Sequence, residues 1–347
     1  DRACVYHHSG GSFTAEKSRV LQARHEKILG RIWPEYSSLV RAWWRDNPLR
    51  VKTEFVAADD DERPSVLHVL HRKYRIGGTE RVTRTLISEL DENYRQTLVY
   101  PGMTGNAWCD LETRPSPGHR ELMLNRRWIK PSIQIAGHGA DLDCAQSERL
   151  LARLIVGSEA RIVHFHHLLQ WDSLLLPALA RKLGCRVVIS AHEFWFNCPV
   201  YNQLEYSTGQ PCGRSHAQPD DRCAACLSAY SDNKLPSGQD AAGGRQYAVM
   251  RHALIADALQ NADAVLVPSQ FLAERLVQAY PAIQPDRLLL EPHGIRVPES
   301  PARPGPDGRT VIAFFGGDQR MKGAGILLAL AELMKEQSVE FRVFGRI

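Results

Sequence analysis

The chain has 347 residues, a formal net charge of +4 and 44% hydrophobic residues, the balance of a globular protein that buries a large core. This length predicts two domains, and the slight, dispersed positive charge argues against nucleic-acid binding while leaving room for an anionic ligand or a membrane surface. Neither a run of about 18 apolar residues nor a basic and then apolar N-terminal stretch occurs, so no membrane span or secretory signal is predicted. Eight cysteines, four of them scattered and four clustered, favour a reducing compartment, and we expect the cytoplasm.

Residues 1–62 are predicted to form a helical extension followed by an acidic spacer. Apolar positions at helical spacing between residues 13 and 47 predict two helices that separate near Pro34 and pack onto the core. The acidic run at residues 59–62 is typical of a solvated spacer. Because the chain does not begin with Met and ends in a strand that enters a turn, we expect a piece of a larger protein.

Residues 63–297 alternate strand-like and helix-like segments, which predicts an α/β domain with a parallel sheet and helices on both faces. The pattern weakens between residues 101 and 141, where short strands and loops rich in Gly and Pro are expected. A long cysteine-containing loop, without helical or strand period, is predicted over residues 193–237. The Pro-rich residues 298–308 are typical of an interdomain linker, and residues 309–347 begin a second alternating unit.

Two glycine-containing loops stand between a strand and a helix, where backbone N–H groups and the helix dipole favour phosphate. The first, IGGTE, lacks the GxGxxG fingerprint and is equally consistent with a tight turn that binds nothing. The second, FFGGDQRMKG, adds two cations and predicts a diphosphate site, with a solvated turn as the alternative. The candidate donor-binding and diphosphate-binding residues are Gly77, Gly78, Gly316, Gly317, Arg320 and Lys322.

His192 ends the strand RVVISA, at the sheet edge where ligands of parallel sheets gather, and it is the candidate catalytic residue. A purely structural role for a histidine at this place is equally consistent with the sequence. His164, His166 and His167 end the preceding strand, and for these three a role in the core is favoured. The candidate acceptor or cleft residues are Glu80, His166 and Glu193.

Four cysteines cluster after His192, as two single residues followed by a CxxC pair: Cys198, Cys212, Cys223 and Cys226. Four thiolates can close a tetrahedral zinc site and so stabilise a segment with little apolar content. The first pair is spaced more widely than in a zinc ribbon, so thiols without metal or a disulfide remain alternatives. Such a zinc site would be structural rather than catalytic, and His192 is not needed as a ligand.

In order, these motifs are a strand, IGGTE and a helix; AHEFWFNCP; NADAVLVPSQFLAERL; LLLEPHGI; and, after the linker, FFGGDQRMKGAGILLALAEL. From Val66 to Ile347 this order resembles the retaining glycosyltransferases of family 4, which have two Rossmann-like domains that face each other across a cleft in the GT-B fold. The HEFW segment followed by spaced cysteines resembles the enzymes that assemble bacterial surface polysaccharides, including the O-antigen of lipopolysaccharide.

The resemblance implies a hexosyltransferase-like enzyme that takes a sugar from a nucleotide-diphosphate donor, with retention, to a growing glycan or lipid-linked acceptor. It places Gly77 and Gly78 near the donor diphosphate and the acceptor, His192 at the reaction centre, and Lys322 on the diphosphate. It implies no catalytic divalent metal. Peripheral contact with the inner face of the inner membrane and a neighbouring transferase domain in the same polypeptide are expected, and a nucleic-acid partner is not.

Two departures from the family pattern affect these expectations. The family usually has an arginine where this chain has Gly317, and Arg320 is the candidate substitute. The family's pair of glutamates that hold the nucleotide ribose would lie beyond Ile347, so these 347 residues alone are expected to transfer no sugar.

Two other classes of function are weighed against the transferase. One is a zinc-stapled Rossmann-like binding module for a protein or nucleic-acid partner, although the basic residues are dispersed and do not alternate with aromatic ones. The other is a different GT-B enzyme, such as a nucleotide-sugar epimerase, against which the HEFWFNCP segment and the MKG loop argue.

Overall fold

The computed structural model describes residues 15–45, 62–73, 77–102, 110–114, 119–125, 145–199, 201, 203–205, 208–213, 219–230, 241–294, 310–316 and 322–345. The chain divides into two compact units, Asp1–Asp59 and Asp60–Ile347. The first contains two helices, α1 (Ala15–Ile32) and α2 (Tyr36–Arg45), which confirms the prediction of a helix pair that separates near Pro34. The expected packing of these helices onto the core stays a prediction. The predicted linker at residues 298–308 lies outside the described residues.

The larger unit alternates strands and helices. Its strands are β1 (Ser65–Val69), β2 (Arg95–Pro101), β3 (Asp110–Arg114), β4 (Arg120–Asn125), β5 (Ile162–Phe165), β6 (Arg186–Ser190), β7 (Ala264–Val267), β8 (Leu288–Leu290), β9 (Thr310–Phe315) and β10 (Val339–Phe344). Its helices are α3 (Gly78–Leu90), α4 (Ala145–Ser158), α5 (Leu176–Lys182), α6 (Asp221–Tyr230), α7 (Ala241–Gln260), α8 (Gln270–Ala279) and α9 (Ala324–Leu333).

The main sheet has the strand order β3-β4-β2-β1-β5-β6-β7-β8. All neighbouring pairs in it are parallel except β3 with β4, which is antiparallel. A second sheet is formed by β9 and β10, which pair in parallel. The predicted α/β class is confirmed, and the antiparallel edge comes from the stretch in which the sequence pattern weakens.

The core lies on the central strands, where β1 is buried along its whole length and β2 along nearly all of it. On one side of the sheet, Leu70, Leu98, Tyr100 and Met123 form a cluster with Ile87 of α3. Each such buried side chain contributes about 1.5–3 kcal/mol relative to its exposed state. This rigid centre holds the strand ends, and therefore the candidate site, in place.

Two predicted helix ends have the expected geometry. Ser269 precedes α8, and its Oγ accepts a hydrogen bond from the backbone N–H of Leu272 at 3.3 Å. Gly184 follows α5 with φ of +84°, the left-handed conformation that ends many helices and that glycine adopts without strain.

The expectation of an irregular cysteine loop is wrong for residues 221–230, which form the helix α6. Asp220 caps this helix, because its Oδ1 accepts hydrogen bonds from the backbone N–H groups of Arg222 and Cys223 at 3.1 and 3.3 Å. Cys223 and Cys226 therefore lie on a helix, one turn apart. Among the described residues, no helix combines the length and the hydropathy that a membrane span requires.

Candidate active site

Histidines gather where the parallel strands of the main sheet end, the edge at which open α/β sheets bind ligands. His71 follows β1, His166 and His167 follow β5, His192 and Glu193 follow β6, and His293 follows β8. His68 of β1 and His164 of β5 lie opposite each other in the sheet register, further inside the same region. The two candidate residues predicted at the end of RVVISA thus belong to a larger polar group.

His192 is held between two other histidines. Its Nδ1 lies 3.0 Å from Nε2 of His293, and its ring stacks on that of His166 with centroids 5.8 Å apart. Burial, with smaller effects of His293 and His167, lowers the pKa of His192 to about 3. The ring is therefore neutral at pH 7, and its buried Nε2 has no hydrogen-bond partner among the described residues.

Glu193 is oriented by His167. The backbone N–H of Leu169 donates to Nδ1 of His167 at 3.0 Å, so the neutral ring carries its proton on Nε2. That Nε2 donates to Oε1 of Glu193 at 3.1 Å. The second carboxylate oxygen, Oε2, is buried and has no partner in the part of the chain that the structure describes. Glu193 thus keeps one acceptor for a ligand next to His192.

A chain of hydrogen bonds fixes the tautomers of the histidines behind this edge. Gln96 donates its Nε2 to the carbonyl of Ile87 at 2.7 Å, so its Oε1 accepts from Nε2 of His68 at 3.0 Å. Nδ1 of His68 must then accept from Nε2 of His166, 3.1 Å away. Nδ1 of His166 is left as a bare acceptor, buried and without a partner among the described residues.

Within the described chain, His68, His164 and His166 place one ligand nitrogen each within 4.8 Å of one another, close enough to hold a metal ion. The hydrogen bonds argue against this use. Both nitrogens of His68 have partners, and Nε2 of His164 lies 2.8 Å from Oγ of Ser190. Burial lowers the pKa of each of the three rings. They form a neutral, hydrogen-bonded support beneath His192.

The first glycine loop is closed by the chain's own carboxylate. Glu80 is only 3% exposed, and its Oε2 accepts from the backbone N–H of Gly77 at 2.9 Å while Oε1 accepts from Nε of Arg72 at 3.2 Å. A Cβ at Gly77 would lie 2.6 Å from Glu80 Oε2, so a larger residue there would push this carboxylate away. Gly78 begins α3, and a Cβ there would meet no atom within 4 Å. Glu80 therefore caps α3 and occupies the Gly77 N–H, while its Oε1 also lies 3.7 Å from Nε2 of His71 at the end of β1.

The second glycine loop lies between β9 and α9. The backbone N–H of Gly316 donates to the carbonyl of Phe344 at 3.2 Å, and a Cβ at Gly316 would lie 3.3 Å from Cβ of Lys322. Lys322 is exposed, and Gly323, with φ of +80°, is the N-cap of α9. Lys322 is therefore free of crowding at the start of a helix. Gly317 and Arg320 lie outside the described residues.

The four cysteines predicted as zinc ligands, Cys198, Cys212, Cys223 and Cys226, line a single cavity. That cavity is lined by neither His192 nor Glu193. The stretch that begins at His192 therefore contributes to two separate places, the sheet edge and this cavity.

Some residues of the histidine edge were not singled out from the sequence. His293 follows β8 in the segment EPHGI, and its position directly after a strand was the available signal. His68 and its partner Gln96 lie inside strands, where a polar residue gives no indication of its partner.

The chain is thus an α/β protein with a cluster of histidines at the carboxyl ends of a parallel sheet, where open sheets of this kind bind ligands. A family model described as Glycosyltransferase Family 4 matches residues 76–297, well over half of the chain, and the chain belongs to that family.

The chain is also similar to individual proteins. Over 86 residues it is 35% identical to the alpha-maltose-1-phosphate synthase of Mycolicibacterium smegmatis, a match that covers 21% of this chain and 22% of that protein. A solved trehalose-6-phosphate structure from E. coli with bound UDP-2-fluoro glucose matches with a TM-score of 0.48 and 11% identity, over 82% of this chain and 65% of that one. The UDP-forming alpha,alpha-trehalose-phosphate synthase of Burkholderia vietnamiensis matches with a TM-score of 0.46 and 8% identity, over 83% and 65%. The chain thus spans less than two thirds of each of these relatives.

Proposed function

We propose that this chain is part of a retaining glycosyltransferase that moves a sugar from a nucleotide-diphosphate donor to a growing glycan or lipid-linked acceptor. Membership of family 4 supports the class of reaction. The observation that carries the proposal is the placement of a neutral His192 beside Glu193 at the carboxyl edge of the sheet. Among the described residues, His192 Nε2 and Glu193 Oε2 have no hydrogen-bond partner.

His192 and Glu193 have the chemistry that sugar recognition needs. A neutral imidazole can hydrogen-bond a sugar hydroxyl without the desolvation cost of a buried charge. The carboxylate of Glu193, which is held in place by His167, can accept a hydrogen bond from a hydroxyl group of the acceptor substrate. His166 contributes by stacking on His192 and keeping its ring in place. We assign His192 to the reaction centre and Glu193 to the acceptor side.

The donor diphosphate is assigned to the second glycine loop. Lys322, exposed and directly before the N-terminus of α9, supplies a cation, and the helix dipole adds to the attraction. Gly317 and Arg320 complete the same loop in sequence. Charge that develops on the leaving diphosphate would be stabilised by these groups, and a catalytic divalent metal is not part of the proposal. At the first loop, Gly78 remains the candidate, because the Gly77 N–H already binds Glu80.

The wider role that we propose is the biosynthesis of bacterial surface polysaccharide, including O-antigen, in the cytoplasm at the inner face of the inner membrane. Residues 63–297 would form the acceptor-side domain and residues 309–347 the beginning of the donor domain, facing each other as in GT-B enzymes. The support for this role is the HEFW segment followed by spaced cysteines. A neighbouring transferase domain in the same polypeptide belongs to the same proposal.

The test is a transfer assay on the full-length protein with a panel of nucleotide sugars, read as release of the nucleotide diphosphate. His192→Ala should lower kcat about 100-fold or more, the usual effect of losing a catalytic imidazole, with the circular dichroism spectrum unchanged. Lys322→Ala should weaken donor binding about ten-fold, as expected for a lost hydrogen bond to a charged group.

Matched controls are His25→Ala, in the exposed part of α1, and Lys335→Ala, an exposed lysine that pairs only with Glu332 three positions away among the described residues. Both should keep full activity. Release of nucleotide diphosphate by His192→Ala at the wild-type rate would refute the assignment of the reaction centre.

A further inference from the structure

We propose that Cys198, Cys212, Cys223 and Cys226 bind one zinc ion as four thiolates, and that this ion fastens the segment after His192 to the helices α6 and α7. The proposal concerns a structural metal site and does not depend on the transfer reaction. A site closed by four thiolates leaves no open position for a substrate.

The first support is convergence. The four cysteines come from three separate segments: Cys198 ends the HEFWFNC stretch after β6, Cys212 lies next to the bridge between Leu204 and Pro211, and the CxxC pair lies on α6. Their side chains nevertheless line one cavity of about 40 Å³. A cavity of that size accommodates an ion with a few waters, whereas small-molecule ligands occupy about 300–1,000 Å³.

The second support is the geometry of the CxxC pair. Cys223 and Cys226 are three positions apart on α6, so their side chains lie on the same face of the helix. Cys223 is also within the first turn, where its backbone N–H donates to Oδ1 of Asp220. Zinc–sulfur bonds of about 2.3 Å in a tetrahedron need sulfur atoms about 3.8 Å apart. In the described structure no three of these sulfur atoms lie within 4.8 Å of one another, so the thiols would have to move inward to bind the ion.

The third support is a buried positive charge that lines the same cavity. Arg251 is only 4% exposed; its Nη2 donates to the carbonyl of Trp195, and its guanidinium lies 4.5 Å over the indole ring. No carboxylate among the described residues forms an ion pair with it, although an isolated buried charge costs several kcal/mol. A zinc ion with four thiolates carries a net charge of −2 and would supply the missing counter-charge.

The site would hold the segment that carries the candidate catalytic residue. Trp195 is bound through its carbonyl by Arg251, and the carbonyl of Phe196 accepts from Oη of Tyr280 at 2.6 Å. Both Arg251 and Tyr280 line the cysteine cavity. Zinc at Cys198 would thus fix the chain only six positions after His192.

The experiment is metal analysis of the full chain, purified without a chelating tag, by mass spectrometry of the elements. Wild-type protein should contain about one zinc per chain, and X-ray absorption should show a single shell of four sulfurs at about 2.3 Å. Cys223→Ser should lose most of the zinc. Cys185→Ser is the matched control, because Cys185 is also buried but binds the carbonyl of Ala160, outside the cavity, and should keep the zinc.

If Cys223→Ser does not fold, the wild-type protein still tests the proposal. Titration with a mercurial reagent should release the zinc as the four ligand thiols react. Less than about half an equivalent of zinc, iron in its place, nitrogen or oxygen in the metal shell, or a disulfide between Cys223 and Cys226 would each overturn the proposal. Equal zinc loss in Cys185→Ser would do the same. None of these readings involves sugar transfer, so they fail or succeed independently of the proposed function.

Discussion

Acidification should destabilise this protein through its buried histidines. His68, His164 and His166 lie in the core of the main sheet, and burial holds the pKa of each below the ordinary value of 6.5. In the unfolded chain the same rings would take up protons as the pH falls below 6.5. The unfolded state then binds more protons than the folded state, so stability is present above that pH and is lost below it.

The magnitude follows from the pKa difference. For His68, whose pKa falls from 6.5 to about 4 on folding, the loss between pH 7 and pH 5 is about 2 kcal/mol. Burial also lowers the pKa of His164 and His166, so these two rings add to the loss in the same direction. The loss from His68 alone is a sizeable part of the unfolding free energy of a typical domain, which lies at about 5–15 kcal/mol.

The assay is urea denaturation followed by tryptophan fluorescence at pH 7, 6 and 5. His164→Gln should lower the stability at pH 7 but reduce the pH dependence of the unfolding free energy, because one titrating group is removed. His25→Gln, on the exposed face of α1, should leave the slope unchanged. A wild-type unfolding free energy that changes by less than about 2 kcal/mol from pH 7 to pH 5 would refute this reasoning.

Three further substitutions test separate parts of the structure. Burial alone would raise the pKa of Asp263, but hydrogen bonds from two arginines and the Val187 N–H lower it to about 2. Asp263→Asn should therefore lower the unfolding free energy at pH 7 by about 1–2 kcal/mol, measured by chemical denaturation. Ser269→Ala removes the cap of α8 and should cost about 1 kcal/mol in the same measurement, with Ser269→Asp as the variant that restores stability. His293→Ala should lower kcat for transfer about ten-fold at an unchanged donor KM, since it frees the ring of His192; His293→Gln, which keeps a hydrogen bond, should recover part of the loss. Equal activity of the two variants at His293 would contradict a positioning role.

The sequence was sufficient for features that depend on neighbours along the chain. The alternation of strands and helices predicted the α/β class, Ser269 predicted the start of α8, and Gly184 predicted the end of α5. Each of these rests on local backbone chemistry, such as a hydroxyl that binds a nearby N–H or a residue that tolerates positive φ. The helix α6 could have been predicted in the same way, because Asp220 precedes a run rich in alanine and leucine.

Features that depend on strand order could not be predicted. The antiparallel pairing of β3 with β4 arises at the sheet edge, where the sequence is irregular. The contact between His192 and His293 joins residues 101 positions apart, and it exists because β8 lies two strands from β6 in the sheet. The tautomer of His166 depends on Gln96, two strands away in the sheet, and no periodicity carries that information.

The stretch HEFWFNCP links the two candidate sites through its backbone. His192 and Glu193 lie at the sheet edge, Cys198 lines the cysteine cavity, and the carbonyls of Trp195 and Phe196 between them accept hydrogen bonds from Arg251 and Tyr280, which line the same cavity. A loop of this length would otherwise sample many conformations, at an entropic cost of about 1–2 kcal/mol for each residue that is ordered. Binding these carbonyls restricts that freedom next to His192. The zinc site that we propose would restrict it further, so that the cysteines would hold the sheet edge in place without contacting it.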